Sequence, residues 1–439
     1  MLIEFKTENY KSFKEEICFS MISTPKQTGL DYSITKIKFP GIKKILKVLC
    51  SSVIYGANAS GKTNVIGAMD TFRSIVLRGN IKNPEEKNNF NPASDVLELI
   101  PNNKYESPKP VKFSITFTVD NILIQYNLNI DLGTFLDADY KRKIDLEELK
   151  INNEIIFHRE KELMVNIPKF IFPYLTNKNC SNIEQIKQIA TDSLNSEELF
   201  LTNGFKIIFS QKLVNIIMDW FTNKFMVICR ADSMKLVTKF ADPRKKTIYV
   251  EQTTNKAAEL FGVTANEIGY VVEDENSEPK LCTILKDKKT VLPAEIFESY
   301  GTIRFINMFP LVIRAMQTGG TLVIDEFDAS IHPKALMSII NIFHNDDLNV
   351  NHAQLIFNTH NSIFLNSNLF RRDEIKFVER NDETQESILY SLSHFGTSGD
   401  NGVRKHEDYM KNYFINEYGA IKDIDFTSIF EPEINIESE

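Results

Sequence analysis

The chain has 439 residues, 42% of them hydrophobic, and a net charge of −8. That length exceeds one ordinary domain and allows either one large core or two linked ones, while the acidic balance excludes a uniformly basic nucleic-acid binder. The N-terminus opens on the strand-like Leu2-Ile3-Glu4-Phe5, and no apolar run approaches the ~20 residues that span a bilayer. A cytoplasmic chain with no membrane partner is therefore expected. Cys18, Cys50, Cys180, Cys229 and Cys282 are scattered without a C-x-x-C pair, which signals neither a zinc site nor a disulfide framework.

A buried strand is predicted over Ser52-Val53-Ile54-Tyr55. Directly after it stands Gly56-Ala57-Asn58-Ala59-Ser60-Gly61-Lys62-Thr63, a complete G-x-x-x-x-G-K-T phosphate loop, and then the helix-compatible Asn64-Val65-Ile66-Gly67-Ala68-Met69-Asp70. A strand that delivers such a loop to a helix N-terminus lets backbone N–H groups and Lys62 surround a triphosphate, while the Thr63 hydroxyl ligates Mg²⁺. The spacing predicts a nucleotide site and leaves ATP and GTP both open.

From Val111 to Asn129, the alternating Phe113, Ile115, Phe117 and Val119, then Ile122, Ile124, Tyr126 and Leu128, flank Asp120-Asn121 and predict a β-hairpin. From about residue 160 to 225 that alternation gives way to helix-like spacing, as in Leu213, Ile216, Ile217 and Trp220. No sustained heptad is present, so a compact helical subdomain is expected in place of a coiled coil. The basic runs Lys141-Arg142-Lys143 and Arg244-Lys245-Lys246 suit either solvated faces or local phosphate contacts.

Further on, Glu298-Ser299-Tyr300-Gly301-Thr302 precedes an apolar-periodic helix over Ile303 to Met316 and the turn Thr318-Gly319-Gly320. A Ser-x-Gly at a helix start offers hydroxyl and backbone donors suited to a γ-phosphate. The strand Thr321-Leu322-Val323-Ile324 then ends in Asp325-Glu326. Asp325 is placed to hold Mg²⁺ and Glu326 to polarise the attacking water. About 260 residues separate Thr63 from Asp325, more than a compact P-loop enzyme needs, so a large insertion is expected. A last apolar strand, Gln354 to Asn358, leads through Thr359 to His360, whose neutral imidazole can sense the γ-phosphate. The end of the chain, with Asp423, Asp425, Glu431, Glu433, Glu437 and Glu439, reads as an acidic solvated tail.

The ordered set of phosphate loop, signature helix, acid strand, Asp328-containing turn and switch histidine resembles the ATP-binding-cassette (ABC) ATPase class that includes SMC, RecF and the OLD nucleases. Within it, the chain is most similar to bacterial AAA-type ATP-binding proteins of the abortive-infection and RloA kind. The likeness rests on Ile3 to Phe13 with its Asn9-Tyr10-Lys11-Ser12-Phe13 turn, on Tyr55 to Asn64, on Leu322 to Pro333, on Arg371-Arg372-Asp373-Glu374-Ile375 and on Tyr418-Gly419-Ala420. It covers roughly residues 1 to 80 and 290 to 420. Tyr300 stands where a full signature has its first Gly, and no Gln of a Q-loop is assigned, Gln125 lying within a strand-like run.

The resemblance implies an α/β P-loop NTPase of SMC-like ABC type, a two-lobed head with an inserted, mainly helical subdomain. The expected boundaries are 1–150 for the N-terminal lobe, 151–290 for the insertion, 291–420 for the C-terminal lobe and 421–439 for the tail. It implies ATP and Mg²⁺ as cofactors, and a nucleotide site of Gly56, Ala57, Asn58, Ala59, Ser60, Gly61, Lys62, Thr63 and Asn64, with Lys11 and Ser12. Thr63 and Asp325 would hold the metal; Glu326, His360 and Lys62 would be catalytic. Ser299, Gly301, Thr302 and Asp328 would act across a head-to-head homodimer or higher homo-oligomer. With no nuclease domain after residue 420, the implied function is the ATPase subunit of an anti-phage abortive-infection system controlling a separately encoded effector protein. The alternatives are a RecF-like DNA-repair ATPase stimulated by DNA and a nucleotide-locked scaffold that binds or inhibits a partner protein.

Overall fold

Two sheets and the helix between them carry the fold. The computed structural model describes residues 1–24, 30–39, 45–82, 97–102, 104–105, 107–133, 140–175, 183–192, 194–229, 252–262, 267–271, 280–285, 290–396, 403, 407–422 and 426–427. Cys180, Arg244-Lys245-Lys246 and the tail acids Asp423, Asp425, Glu431, Glu433, Glu437 and Glu439 lie outside the described residues.

The first sheet has the strand order Phe225–Ile228, Thr321–Ile324, Gln354–Asn358, Ser51–Tyr55, Ile375–Arg380, Ser387–Ser391. Its strands pair in parallel except the last, which closes an antiparallel hairpin. A parallel sheet is covered on both faces, so its strands read as unbroken apolar runs. Side chains still alternate between faces: Ile54, Val323, Ile356 and Val378 enter one core, while Val53, Tyr55, Leu322, Ile324, Leu355, Phe357 and Phe377 enter another. The second core is closed by the helices Tyr300–Thr318, Pro333–Phe343 and Tyr409–Phe414.

The second sheet is antiparallel throughout, in the order Leu163–Val165, Glu154–Arg159, Lys143–Ile151, Ile122–Asp131, Val111–Val119, Leu2–Glu8, Ile17–Ser20. The hairpin predicted around Asp120-Asn121 is present, with φ of 49° and 61° at the two turn residues, the left-handed pair that a tight hairpin requires. Asn152-Asn153 makes a second such turn at 51° and 68°. Helix Lys62–Arg78 shares one core with the apolar face of this sheet and the first face of the parallel one. Its Phe72 ring lies 5.6 Å from Phe113, 5.8 Å from Tyr126 and 6.1 Å from Phe5.

The stretch expected as an inserted helical subdomain contains helices, Ile183–Asp192, Phe205–Ile208, Gln211–Asp219 and Gln252–Phe261, but also strands. Its described residues up to Ile228 are not a separate arm. Ile171, Leu199, Phe205, Leu213, Ile217 and Trp220 belong to the same core as the phosphate-loop helix, and Phe225–Ile228 is an edge strand of the parallel sheet. The reason is polar as well as apolar. Glu147 on the antiparallel sheet is fully buried and accepts from the backbone N–H groups of Phe200 and Leu201 at 2.7 and 2.9 Å and from the Tyr126 hydroxyl at 2.9 Å. Arg159 donates to the carbonyls of Asn195 and Glu198, each at 2.7 Å. Burial pushes the Glu147 carboxyl pKa upward, opposed by these donors, and unpaired it would be costly there. Among the described residues no helix is long and apolar enough to cross a membrane.

Candidate nucleotide site

Strand Ser51–Tyr55 is buried along its whole length and ends where the loop begins. The loop turns through left-handed backbone at Ala59, φ 59°, and Gly61, φ 110°, before helix Lys62–Arg78 starts. At Gly61 an added Cβ would lie 2.8 Å from Ser12 Oγ and 2.9 Å from Ser387 Oγ, and at Gly56 it would run into the carbonyl oxygen of Val378. Both glycines are thus required by close approach as well as by conformation. Lys62 is buried and folds back on the loop, its Nζ donating to Gly56 O at 2.8 Å and Ala57 O at 2.9 Å. Burial lowers its pKa to about 8, against the attraction of Asp325, Glu326 and Asp328.

Parallel pairing brings the acid strand to the same end of the sheet. Thr63 Oγ1 donates to Asp325 Oδ1 at 3.1 Å across 262 positions of sequence. Asn358, at the end of the strand between them, donates its amide to the same Asp325 oxygen and accepts from the Glu326 N–H at 2.5 Å. Burial raises the Asp325 pKa, with Asn358 and Thr63 pulling it back. Glu326 is exposed and sits at φ 49°. Its carbonyl accepts from Arg304, a buried residue of the helix Tyr300–Thr318, at 2.5 Å. His360 is solvent-accessible just beyond Asn358; partial desolvation and then the Lys62 charge lower its pKa, against Asp328 and Glu326, a shift in favour of the neutral imidazole.

Ser12 lies at the loop, its Oγ accepting from Asn64 Nδ2 at 2.8 Å. Lys11 lies further along, beside Gly67 of the helix, and its ammonium pairs with Glu98 at 2.5 Å. Ser299, Gly301 and Thr302 are grouped elsewhere. Ser299 caps the helix Tyr300–Thr318, accepting from the Thr302 N–H at 3.1 Å, with the Thr302 hydroxyl 2.9 Å away. Gly301 packs directly under the Ser330 carbonyl, where no Cβ fits. Ser299 and Tyr300 face solvent, so this turn is on the surface, and the hydrogen bonds of its side chains stay within the turn. Asp328 is half-buried and accepts from the Ile331 N–H at 3.2 Å.

The donor set suits a magnesium nucleotide. Ser60 Oγ in the loop is buried without a hydrogen-bond partner. Thr63 and Asp325 supply one hydroxyl and one carboxylate, the sparse protein ligation that leaves room for phosphate oxygens and water around Mg²⁺. Sequence reasoning missed Asn358 and Arg304. A polar residue closing an otherwise apolar buried strand was the available signal for Asn358; nothing local marks Arg304.

A family model described as "AAA domain, putative AbiEii toxin, Type IV TA system" matches residues 51–168 and 234–366. Among solved structures, one titled "Crystal structure of the SmcHead bound to the C-winged helix domain of ScpA" aligns with a TM-score of 0.40 and 12% identity, covering 90% of this chain and 98% of that one. No curated protein matches the chain.

Proposed function

The chain belongs to this family of AAA domains, and from that premise we propose that it is a Mg²⁺-dependent ATPase whose heads pair on ATP and control a separately encoded effector in a bacterial abortive-infection defence. The observation that carries the ATPase part is the Thr63–Asp325 hydrogen bond, which joins phosphate loop and acid strand at one point.

In this reading Lys62 leaves the loop carbonyls for the triphosphate, and Thr63 and Asp325 hold the metal, which when bound neutralises charge on the phosphates. Glu326 orients and deprotonates the attacking water, and His360 monitors the γ-phosphate. The solvent-facing Ser299, with Gly301 and Thr302, would meet the nucleotide of a second copy, with Asp328 at the interface. Lys11 and Ser12 would support the loop from the N-terminal turn. The family description names a toxin and a Type IV toxin–antitoxin system, which supports the defence role; the separately encoded effector rests on the resemblance read from the sequence.

The test is the ATP hydrolysis rate of the purified chain over a range of protein concentrations, with and without duplex DNA, with Glu326→Gln as control. A rate per head that rises with concentration and ignores DNA supports the proposal. A rate that climbs only with DNA favours the repair alternative, and binding without turnover favours the scaffold. Loss of phage resistance in cells carrying Glu326→Gln with the native neighbouring genes tests the defence role.

A further inference from the structure

We propose that Arg380 and Ser387, which no part of the phosphate-loop signature includes, are positioning residues for the nucleotide. They face each other as the last pair before the turn of the hairpin that ends the parallel sheet, and each holds a loop carbonyl. Arg380 Nη1 donates to Ala59 O at 3.3 Å, its Nε fixed on Gln385 O at 3.0 Å. Ser387 Oγ donates to Ser60 O at 2.6 Å, and its N–H to Ser12 O at 2.8 Å.

A phosphate loop binds anions because consecutive N–H groups converge on one point, which requires the intervening carbonyls to turn away. Among the loop carbonyls, Gly56 and Ala57 are held by Lys62, Ala59 and Ser60 by the hairpin, and Gly61 by the Asn64 and Val65 N–H groups of the helix. The first two must be released when Lys62 engages a triphosphate. The hairpin has no such second task, so its two bonds persist with nucleotide bound and keep the left-handed Ala59 and Gly61 conformations in place. The hairpin is itself anchored, by Glu386 to Lys14 at 3.1 Å and by Asp382 to Lys422.

This inference rests on the ATP-binding reading. The experiment compares wild type, Arg380→Ala, Ser387→Ala and the conservative Ser387→Thr. The readouts are ATP affinity, KM and kcat, hydrogen exchange of residues 56–63 without nucleotide, and unliganded melting temperature. Each alanine variant is expected to weaken ATP binding by about tenfold, the worth of one well-placed hydrogen bond. KM should rise more than kcat falls, loop exchange should be faster, and the melting temperature should hold; Ser387→Thr should restore affinity. Unchanged affinity and exchange in both alanine variants, with wild type binding ATP, overturns the inference alone. Melting temperature and affinity falling together, unrescued by threonine, overturns it in favour of a purely structural hairpin. A wild type that binds no ATP overturns the ATPase reading and this inference with it.

Discussion

Asn358 and Asp325 meet at the ends of adjacent parallel strands, where one amide steadies both acids: its Nδ2 donates to Asp325 and its Oδ1 accepts from the Glu326 N–H. The pair sits where the Thr63 hydroxyl also reaches Asp325. The carboxylate proposed to hold Mg²⁺ and a glutamate held at φ 49° thus share one support.

Asn358→Ala should therefore impair turnover more than binding. Leaving the Glu326 N–H and Asp325 without this partner costs about 1–3 kcal/mol, so kcat is expected to fall about 10- to 100-fold, while ATP affinity measured with a non-hydrolysable analogue changes little. An unchanged kcat would remove Asn358 from the site.

Lys62→Ala should abolish ATP binding, and Glu326→Gln should keep binding while slowing hydrolysis by about 10²- to 10⁴-fold. The glutamine variant should accumulate an ATP-bound dimer on size-exclusion chromatography. Normal turnover in that variant would dismiss Glu326 as the base.

The pH dependence of binding follows from Lys62. Burial lowers its pKa from 10.5 to about 8 in the unliganded fold, so between those values the unfolded chain holds more protons and Lys62's contribution to stability rises with pH. A triphosphate restores the charge. ATP affinity should fall as pH rises through about 8, and binding at about pH 8.5 should take up a proton, read by calorimetry in buffers of different ionisation heat. Equal heats in both buffers would contradict this.

Ser299 can be separated into cap and contact. Ser299→Ala removes the cap and should cost about 1 kcal/mol of stability. Ser299→Asp keeps a capping oxygen, so stability should hold, but it sets a negative charge against the γ-phosphate of a second copy. The concentration-dependent part of the ATPase rate should then disappear; its survival would argue against action across a dimer.

The middle segment should behave as part of the head. Trp220, the one tryptophan of the chain, stacks on Phe117 at 3.9 Å and on Phe225 at 4.8 Å. Phe117→Ala should cost about 3–5 kcal/mol and shift Trp220 emission, with a single unfolding transition. Two separate transitions would indicate an independent arm.

Whatever a short stretch decides with its own backbone was legible before folding. The loop from Gly56 to Thr63 needs its glycines at fixed spacing, the hairpin at Asp120-Asn121 needs two left-handed residues, and the acid strand announces itself as four apolar or β-branched positions followed by two carboxylates. Tertiary structure decided the rest. The spacing of Leu213, Ile217 and Trp220 marks a helix but not what covers it, because apolar burial is non-directional and takes any apolar face the topology offers. Asn358, Arg304, Arg380 and Ser387 act through hydrogen bonds to residues far away in sequence. A hydrogen bond depends on distance and angle, and only the assembly of strands, hairpin and helix in the fold sets these.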